Sequence, residues 1–451
     1  MIQQIIFALV AVVAFGIAFK KYLSVYRNIK LGKEEKITGD KGKRINNTIL
    51  IALGQKKMFK RPLAATMHMF IYVAFIFTQI ELVEIFVDGL AGQHRFFYDY
   101  LGGFYTLLIS FIEILSLGAL IATFTFLARR NLLKLPRFVK PEMEGWPKLD
   151  GNLILYAEFL LVMFIFLMNS SDMAHHSGDY GFVISNFTYP LFENFSDSTL
   201  HILERIGWWG HILIVFAFLN YLPFSKHLHI MLAFPNTYFA KLEKKGEMEN
   251  MPEVQTEVAS MFDPNAAFAE PDLDAPIPKF GASDIFDLSW RHLLGAYTCT
   301  ECGRCTSMCP ANLTGKKLSP RKIMMDTRDR MEEVGKNIET NKTEFIRDDQ
   351  KETTSVLSKE NYDDGKNLFD YITEEELRAC TTCNACVEAC PVMINPLDII
   401  IELRRNLILE QSKSPEEWNS MFNTIENNGA PWAFSPDDRD KWIVDLLQNE
   451  N

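Results

Sequence analysis

The run Cys299-Thr300-Glu301-Cys302-Gly303-Arg304-Cys305-Thr306-Ser307-Met308-Cys309-Pro310 recurs in pattern as Cys380-Thr381-Thr382-Cys383-Asn384-Ala385-Cys386-Val387-Glu388-Ala389-Cys390-Pro391. Together the two runs use all eight cysteines of a 451-residue chain. The spacing C-x2-C-x2-C-x3-C-P is that of a 4Fe-4S ligand set, and two copies imply two clusters. Thiolate suits iron in such a site because both are soft. Three cysteines on a short loop can cap three corners of a cubane. The fourth, followed by proline, turns away to serve the other cluster. The expected sets are Cys299, Cys302, Cys305 and Cys390 for one cluster, and Cys380, Cys383, Cys386 and Cys309 for the second. Zinc more often takes two ligand pairs a dozen or more residues apart. Disulfides need an oxidising compartment, which the topology below denies.

The residues before these runs are apolar and aromatic, whereas the second half is polar and acidic. Five segments reach the roughly 20 apolar residues needed to cross a bilayer: Ile5 to Leu23, Leu63 to Val87, Leu101 to Leu127, Leu153 to Met168, and Ile206 to Phe224. The first has its positive charges after the apolar run and lacks a small-residue cleavage site, so an uncleaved helix is expected rather than a signal peptide. Lysine and arginine crowd the connection from Lys20 to Arg61 and the stretch from Arg129 to Lys148. They are nearly absent from Asp88 to Tyr100 and from Ser171 to Ser198. The positive-inside rule then places the N-terminus outside and everything after Lys226 in the cytoplasm. The expected location is a bacterial cytoplasmic membrane. A net charge of -11 excludes a basic nucleic-acid footprint, and no Gly-rich phosphate loop or dinucleotide fingerprint is present.

Nine histidines are present. His211 and His229 are 18 residues apart, five turns of an α-helix, which predicts that both project from one face of the fifth helix. His227 falls about 160° from His211 on that wheel and is set aside. His68, two turns into the second helix, lies at matching cytoplasmic depth to His229. Paired imidazoles on different helices are what a b-type haem requires; hydrogen bonding between helices is the other reading of the same residues. Glu81, Glu84, Glu113 and Glu158 fall within the spans. Intramembrane carboxyls mark proton relays or pair to hold helices together. Glu113 and Glu158, nearest mid-membrane, are the candidates for a proton path, while Glu81 and Glu84 are expected to face the outer interface.

The segment from Pro235 to Asp287, with its PDLDAPIPKFG stretch (271–281), reads as an extended tether. After it, Ser319-Pro320, Thr373 with three glutamates, and Asn395-Pro396 are helix-start signals. They predict helices from Pro320 to about Val334, from Glu374 toward Cys380, and from Pro396 to Leu409, with a polar insert from Thr340 to Asp364. The expected fold is all-α: a five-helix transmembrane haem b domain (1–235), a linker (236–289) and a helical ferredoxin domain with two 4Fe-4S clusters (290–451).

The stretch HILIVFAFLNYLPFSKHLH (211–229) resembles the last helix of the nitrate reductase gamma subunit and of the membrane subunit of heterodisulfide reductase. The resemblance implies that His68 pairs with His229 on a haem. Where the gamma subunit has a further histidine for a distal haem, this chain has Thr78. That leaves His211 either to pair with His175, His176 or His201 on a second haem, or to line a quinone site. The stretches FGASDIFDLSWRHLLGAYTCTECGRCTSMCPA (280–311), EEELRACTTCNACVEACPV (374–392) with LRRN (403–406), and IENNGAPWAF (425–434) resemble the dicluster ferredoxin of heterodisulfide reductase-like iron-sulfur oxidoreductases. In that family the last stretch leads into a catalytic module of Cys-Cys-Gly repeats. The resemblance therefore implies an electron-transfer subunit of a membrane-bound menaquinone or ubiquinone oxidoreductase, whose substrate chemistry lies on a separate Cys-Cys-Gly partner. Two other readings stand beside it. One is the membrane component of an electron-transfer flavoprotein:quinone oxidoreductase. The other is a non-redox anchor whose clusters are structural.

Overall fold

The computed structural model describes residues 1–176, 180–262 and 279–449. Among these residues the fold is all-α. There is no strand, only the isolated bridges Lys33↔Ser289 and Ile346↔Tyr362. Five helices are long and apolar enough to cross a membrane: Ile2–Ile29, Pro62–Ala91, Gly103–Leu132, Trp146–His175 and Asp197–Phe224. Their ends carry the expected chemistry. Pro62 opens the second, where its missing N–H costs nothing, and Gly92 closes it with φ 70°. Ser196 caps the fifth by accepting from the Thr199 N–H. Most spans run beyond the apolar cores because polar residues at their ends find partners. Asp150 extends the fourth helix at one end, accepting from Ser225 Oγ at 2.7 Å and the Lys226 N–H at 3.1 Å.

The fourth and fifth spans approach most closely through glycine. A Cβ on Gly207 would lie 2.6 Å from the Met168 backbone nitrogen, and one on Gly210 would meet the Phe164 ring at the same distance. Small residues at such crossings let the backbones touch without a hydrophobic driving force. A cluster of Phe7, Ala11, Ala14, Ile85, Met168, Trp208, Ile212 and Phe216 knits together the first, second, fourth and fifth spans.

The described residues divide into two compact units. One comprises Met1–Met248 with Asp284–Ile399, and the other Glu249–Ser283 with Ile400–Asn451. This division does not fall where the sequence reading placed it, because both cysteine runs pack in the same unit as the five helices. Asn28 of the first span donates to the Tyr297 hydroxyl at 2.8 Å. Arg321 donates to the Arg137 carbonyl at 2.6 Å and to Glu142 at 2.7 Å. In the second unit, the Ala282 N–H reaches the Glu402 carbonyl at 3.0 Å, an approach that admits only glycine at position 281. Helices Glu416–Asn428 and Lys441–Asn449 complete it.

Two expectations change. The segment expected as an extended linker (236–289) holds the end of helix His229–Phe239 and the helix Pro252–Phe262. Residues 263–278, with most of the PDLDAPIPKFG stretch, lie outside the described residues. The fifth helix, moreover, does not continue to His229. It ends at Tyr221 and is followed by the tight turns Leu222–Phe224 and Lys226–Leu228. Pro223 brings no N–H, Ser225 adopts an extended backbone at φ -115°, ψ 148°, and Asp150 holds the break. His229 therefore opens a new helix, and the one-face argument linking it to His211 fails. The other helix signals hold: Pro320–Glu339 starts on the Ser319 cap, Glu374–Arg378 on a Thr373–Glu376 capping box, and Pro396–Leu409 follows Asn395.

Candidate redox cofactor sites

The first cysteine run begins where helix Trp290–Thr298 ends, so Cys299 is delivered at its C-cap. Glu301 (φ 51°) and Gly303 (φ 68°) then wrap the loop back. A side chain at 303 would strike Arg321 at 2.6 Å, and only glycine combines that space with that φ. Cys309 precedes the short helix Pro310–Leu313. In the second run Thr382 and Asn384 supply the positive φ values, and Cys386 lies in helix Ala385–Ala389.

All eight cysteines are free. Cys299 has Cys302 and Cys390 as charge neighbours, and Cys305 has Cys299, Cys302 and Cys390. Cys386 has Cys380, Cys383 and Cys309. Cys390 is thus a charge neighbour of Cys299, Cys302 and Cys305 of the first run, and Cys309 of Cys386 in the second. Cys305 also senses Cys386, so the two groups are neighbours. Burial pushes the Cys299 and Cys386 thiols up to about 12 and Cys390 to about 11. Buried thiolates are costly without a cationic partner, and metal binding releases their protons. Backbone N–H groups point at sulfur, from Ile394 to Cys390 at 3.2 Å and from Thr382 to Cys380 at 3.4 Å. Four converging thiols per group, with N–H donors at their sulfurs, suit a 4Fe-4S cluster.

His68, His227 and His229 are charge neighbours of one another. His229 Nδ1 lies 3.1 Å from the Lys226 carbonyl, which fixes the proton there and leaves Nε2 free as a ligand. His227, set aside on the helical wheel, stacks on His229 at 5.4 Å with 15° between planes. The break at Ser225 re-aims it into the group. Burial pushes His227 and His229 below their ordinary value, leaving both imidazoles neutral, the form that ligates a metal.

His211 is buried and its Nδ1 meets the Leu161 carbonyl at 3.1 Å. The histidines considered as its partners are engaged elsewhere or exposed. His176 faces Asp172 at 3.1 Å, His175 lies 3.9 Å from Asp197, and His201 is exposed. Glu113 accepts from the Ile184 N–H at 2.8 Å, the Ser185 N–H at 3.1 Å and Asn169 Nδ2 at 3.2 Å, and bonds the Ser185 hydroxyl as well. So saturated a carboxylate anchors a loop. Glu158 has only Thr123 Oγ1 at 3.4 Å. Glu81 and Glu84 are buried, 2% and 3% exposed. Glu84 accepts from the Tyr105 hydroxyl and the Phe97 N–H, and Asn169 is the polar side chain that faces Glu81. At the centre of these groups lies Arg95, which the sequence reading passed over. It donates to Asn169 Oδ1 at 2.9 Å and to the Tyr105 hydroxyl at 3.0 Å, and pairs with Asp172. Its signal was there: a lone arginine in a loop otherwise free of basic residues.

Basic residues gather where the first cysteine loop meets the helix connections. Arg304 is 5% exposed, donates to the Lys57 and Met58 carbonyls at 3.3 Å and 3.4 Å, and has His68, Cys302 and Cys390 as charge neighbours. Arg61 donates to Ser307 Oγ at 2.7 Å. Arg137 is held down to about 10 by burial and by Arg61, Arg129 and Arg304, with Cys302 opposing. Lys226 pairs with Glu301, which also accepts from Arg328 at 2.8 Å.

Residues 298–394 match the family model described as 4Fe-4S dicluster domain. The chain is 30% identical over 448 residues to a probable iron-sulfur-binding oxidoreductase, FadF, of Bacillus subtilis, covering 94% of this chain and 59% of that protein. It is 26% identical over 458 residues to an EtfAB:quinone oxidoreductase of Syntrophomonas wolfei, covering 96% of this chain and 58% of that protein. A probable membrane-anchored ferredoxin of Chromohalobacter salexigens is 33% identical over 180 residues, 39% of this chain and 25% of that protein. The chain thus spans less than two thirds of the length of these relatives. No solved structure matches it significantly. With five membrane-length helices ahead of a 4Fe-4S dicluster domain, the chain is a homologue of the iron-sulfur oxidoreductases.

Proposed function

We propose that the chain is the electron-transfer subunit of a membrane-bound, quinone-linked oxidoreductase, connecting the quinone pool to a cytoplasmic partner. The observation that carries this reading is Arg304. Its guanidinium, on the first cysteine loop, donates to the Lys57 and Met58 carbonyls just before the second span at 3.3 Å and 3.4 Å, with His68, Cys302 and Cys390 as charge neighbours. On this reading His68 and His229 hold haem b. Cys299, Cys302, Cys305 and Cys390 hold one cluster, and Cys380, Cys383, Cys386 and Cys309 the other. Haem and clusters supply one-electron carriers whose potentials respond to ligands, hydrogen bonds and nearby charge. The protein's part is to hold those ligands at fixed spacing, to shield the buried thiols from water, and to surround the site nearest the membrane with arginine.

The basic connections, including Arg61 and Arg137, then face the cytoplasm with the cysteine loops, and the loop carrying His94 and Arg95 faces outward. His211 belongs to a second haem or to a quinone site. Of the intramembrane carboxyls, Glu158 is the better candidate for a proton path, since its single weak hydrogen bond leaves it free to exchange a proton. Substrate chemistry falls to a partner with Cys-Cys-Gly modules. A second reading, in which an electron-transfer flavoprotein delivers the electrons, is favoured by the similarity to the EtfAB:quinone oxidoreductase of Syntrophomonas wolfei.

The test is spectroscopic. Protein purified in mild detergent should show a b-type haem band that quinol reduces, and the chain co-purifying with it identifies the partner. A preparation with both clusters and no haem would refute the membrane half of the proposal.

A further inference from the structure

On the side of the bundle opposite the cysteine loops in chain order, two histidines and an aspartate converge in a way the electron-transfer reading does not use. His94 Nε2 and His176 Nδ1 lie 3.0 Å and 3.1 Å from the same oxygen, Oδ1 of Asp172. The three ligand atoms all fall within 4.8 Å of one another. We propose that His94, Asp172 and His176 form a binding site for a divalent transition cation of the zinc class, with nitrogen and oxygen donors and the remaining coordination open to water.

The geometry fits. Zinc binds imidazole nitrogen at about 2.0–2.1 Å and carboxylate oxygen at about 2.0–2.2 Å in a tetrahedron, which sets neighbouring donors about 3.3 Å apart. Each nitrogen need move only a few tenths of an ångström from Oδ1, and the two nitrogens, within 4.8 Å of each other, close toward the same spacing as the ion enters. Asp172 and His176 are four residues apart at the end of the fourth span, hence on one helix face. His94 comes from the loop between the second and third spans. That loop is fixed, because the Arg95 and Phe96 N–H groups donate to Asp88 at 2.9 Å and 3.0 Å.

The charges argue against a plain salt bridge. Asp172 already has Arg95 on its second oxygen, so it does not need two imidazolium groups as well. The His94 and His176 rings stack at 5.8 Å with 14° between planes, so both present a ring edge to the same carboxylate oxygen. An imidazole can carry its proton on the other nitrogen and present a lone pair; at His176 the ion would replace the contact of Nδ1 with the Asp172 carbonyl at 3.0 Å. Arg95 then orients the carboxylate from behind, as partners of metal-ligating groups do. Glu84 and Asp88, charge neighbours of Arg95 and His94, offset the added positive charge. Asp172 is 2% exposed while His94 and His176 are 40% and 38% exposed, so the anchor is buried and the mouth is open. A bound ion would tie the loop to the end of the fourth span.

The experiment uses the full chain in detergent with its iron-sulfur clusters in place, and zinc alone as the probe. Competition against a chromophoric chelator should give one tight zinc per chain. The affinity should fall at least tenfold in His94→Ala and in His176→Ala, and be lost in the double variant. Zinc X-ray absorption should show only nitrogen and oxygen neighbours. Unchanged binding in the double variant, sulfur at about 2.3 Å, or no binding at millimolar zinc would each overturn the proposal. Asp172→Asn is a poor probe, since it also strips Arg95 of its partner. The histidine variants spare that pair, and an unaltered iron content would show that they fold.

Discussion

Lys226, the basic residue of the Pro223-Phe224-Ser225-Lys226 turn, forms a buried ion pair with Glu301, which lies between the first two cysteines. The two are 9% and 3% exposed. The pair joins the break after the fifth span to the cysteine loop, so it fixes where that loop sits over His68 and His229. Removing one partner of a buried pair typically costs about 3–5 kcal/mol, because the other charge is left without compensation. Glu301→Gln removes the carboxylate that Lys226 and Arg328 share, but Lys226 keeps Asp150 and the Pro147 carbonyl and Arg328 keeps Asp329, so the loss should fall at or below the lower end of that range. Adding Lys226→Met should recover part of the loss, which thermal denaturation of the four variants can measure as a coupling energy. Additive effects would mean that the contact does not hold the loop.

The proposed ligand sets, with Cys309 and Cys390 exchanged between the groups, make an unusual demand on mutagenesis. Cys390→Ser should damage the site that Cys299, Cys302 and Cys305 form, although it lies in the other run. Cys309→Ser should damage the site of Cys380, Cys383 and Cys386. Iron analysis and electron paramagnetic resonance on the two single variants would distinguish this from pairing within each run, which predicts the opposite assignment of lost signals.

Three histidines compete for the haem in the reading proposed above. His229 has its Nδ1 committed to the Lys226 carbonyl, and His227 Nδ1 is buried without a partner. The committed ring is the oriented one, so His68→Ala and His229→Ala should abolish the b-type band, while His227→Ala should shift it and leave it present. If His227→Ala alone removes the band, the ligand is the residue that the helical wheel rejects.

Much of this was legible in the sequence because the signals are local. A cysteine spacing, an Asn395-Pro396 cap and a run of 20 apolar residues each depend on neighbours a few positions away. The failures share the opposite cause. The wheel linking His211 to His229 assumed a continuous helix, but Asp150, more than 70 residues upstream, holds the Ser225 break. Arg95 gives no periodic signal, yet Asn169, Tyr105 and Asp172 from distant helices converge on it. The domain boundary was set by composition, whereas packing joins the cysteine loops to the helix connections through residues such as Asn28, Arg137 and Arg321. Long-range partners decided each case, and periodicity carries no record of them.

Glu332 provides a test of the cysteine-bearing region that depends on neither haem nor quinone. Burial pushes its carboxyl up to about 7, with Asp329 and Glu301 adding to the rise and Arg328 opposing it. A folded-state value above the unfolded one favours the protonated form. The stabilising contribution is therefore complete below about pH 4.3 and is lost as pH rises through 7. Glu332→Gln keeps the neutral shape at every pH. Wild type and variant should thus unfold at nearly the same temperature at pH 5, and the variant should be more stable at pH 8. For a partly buried group the gain should be roughly 1–3 kcal/mol. Arg328 keeps its bonds to Glu301 and Asp329 in the variant, so no new unpaired charge confounds the comparison. Equal unfolding temperatures at both pH values would show that Glu332 is ionised in the folded protein and that water or Arg328 compensates its burial.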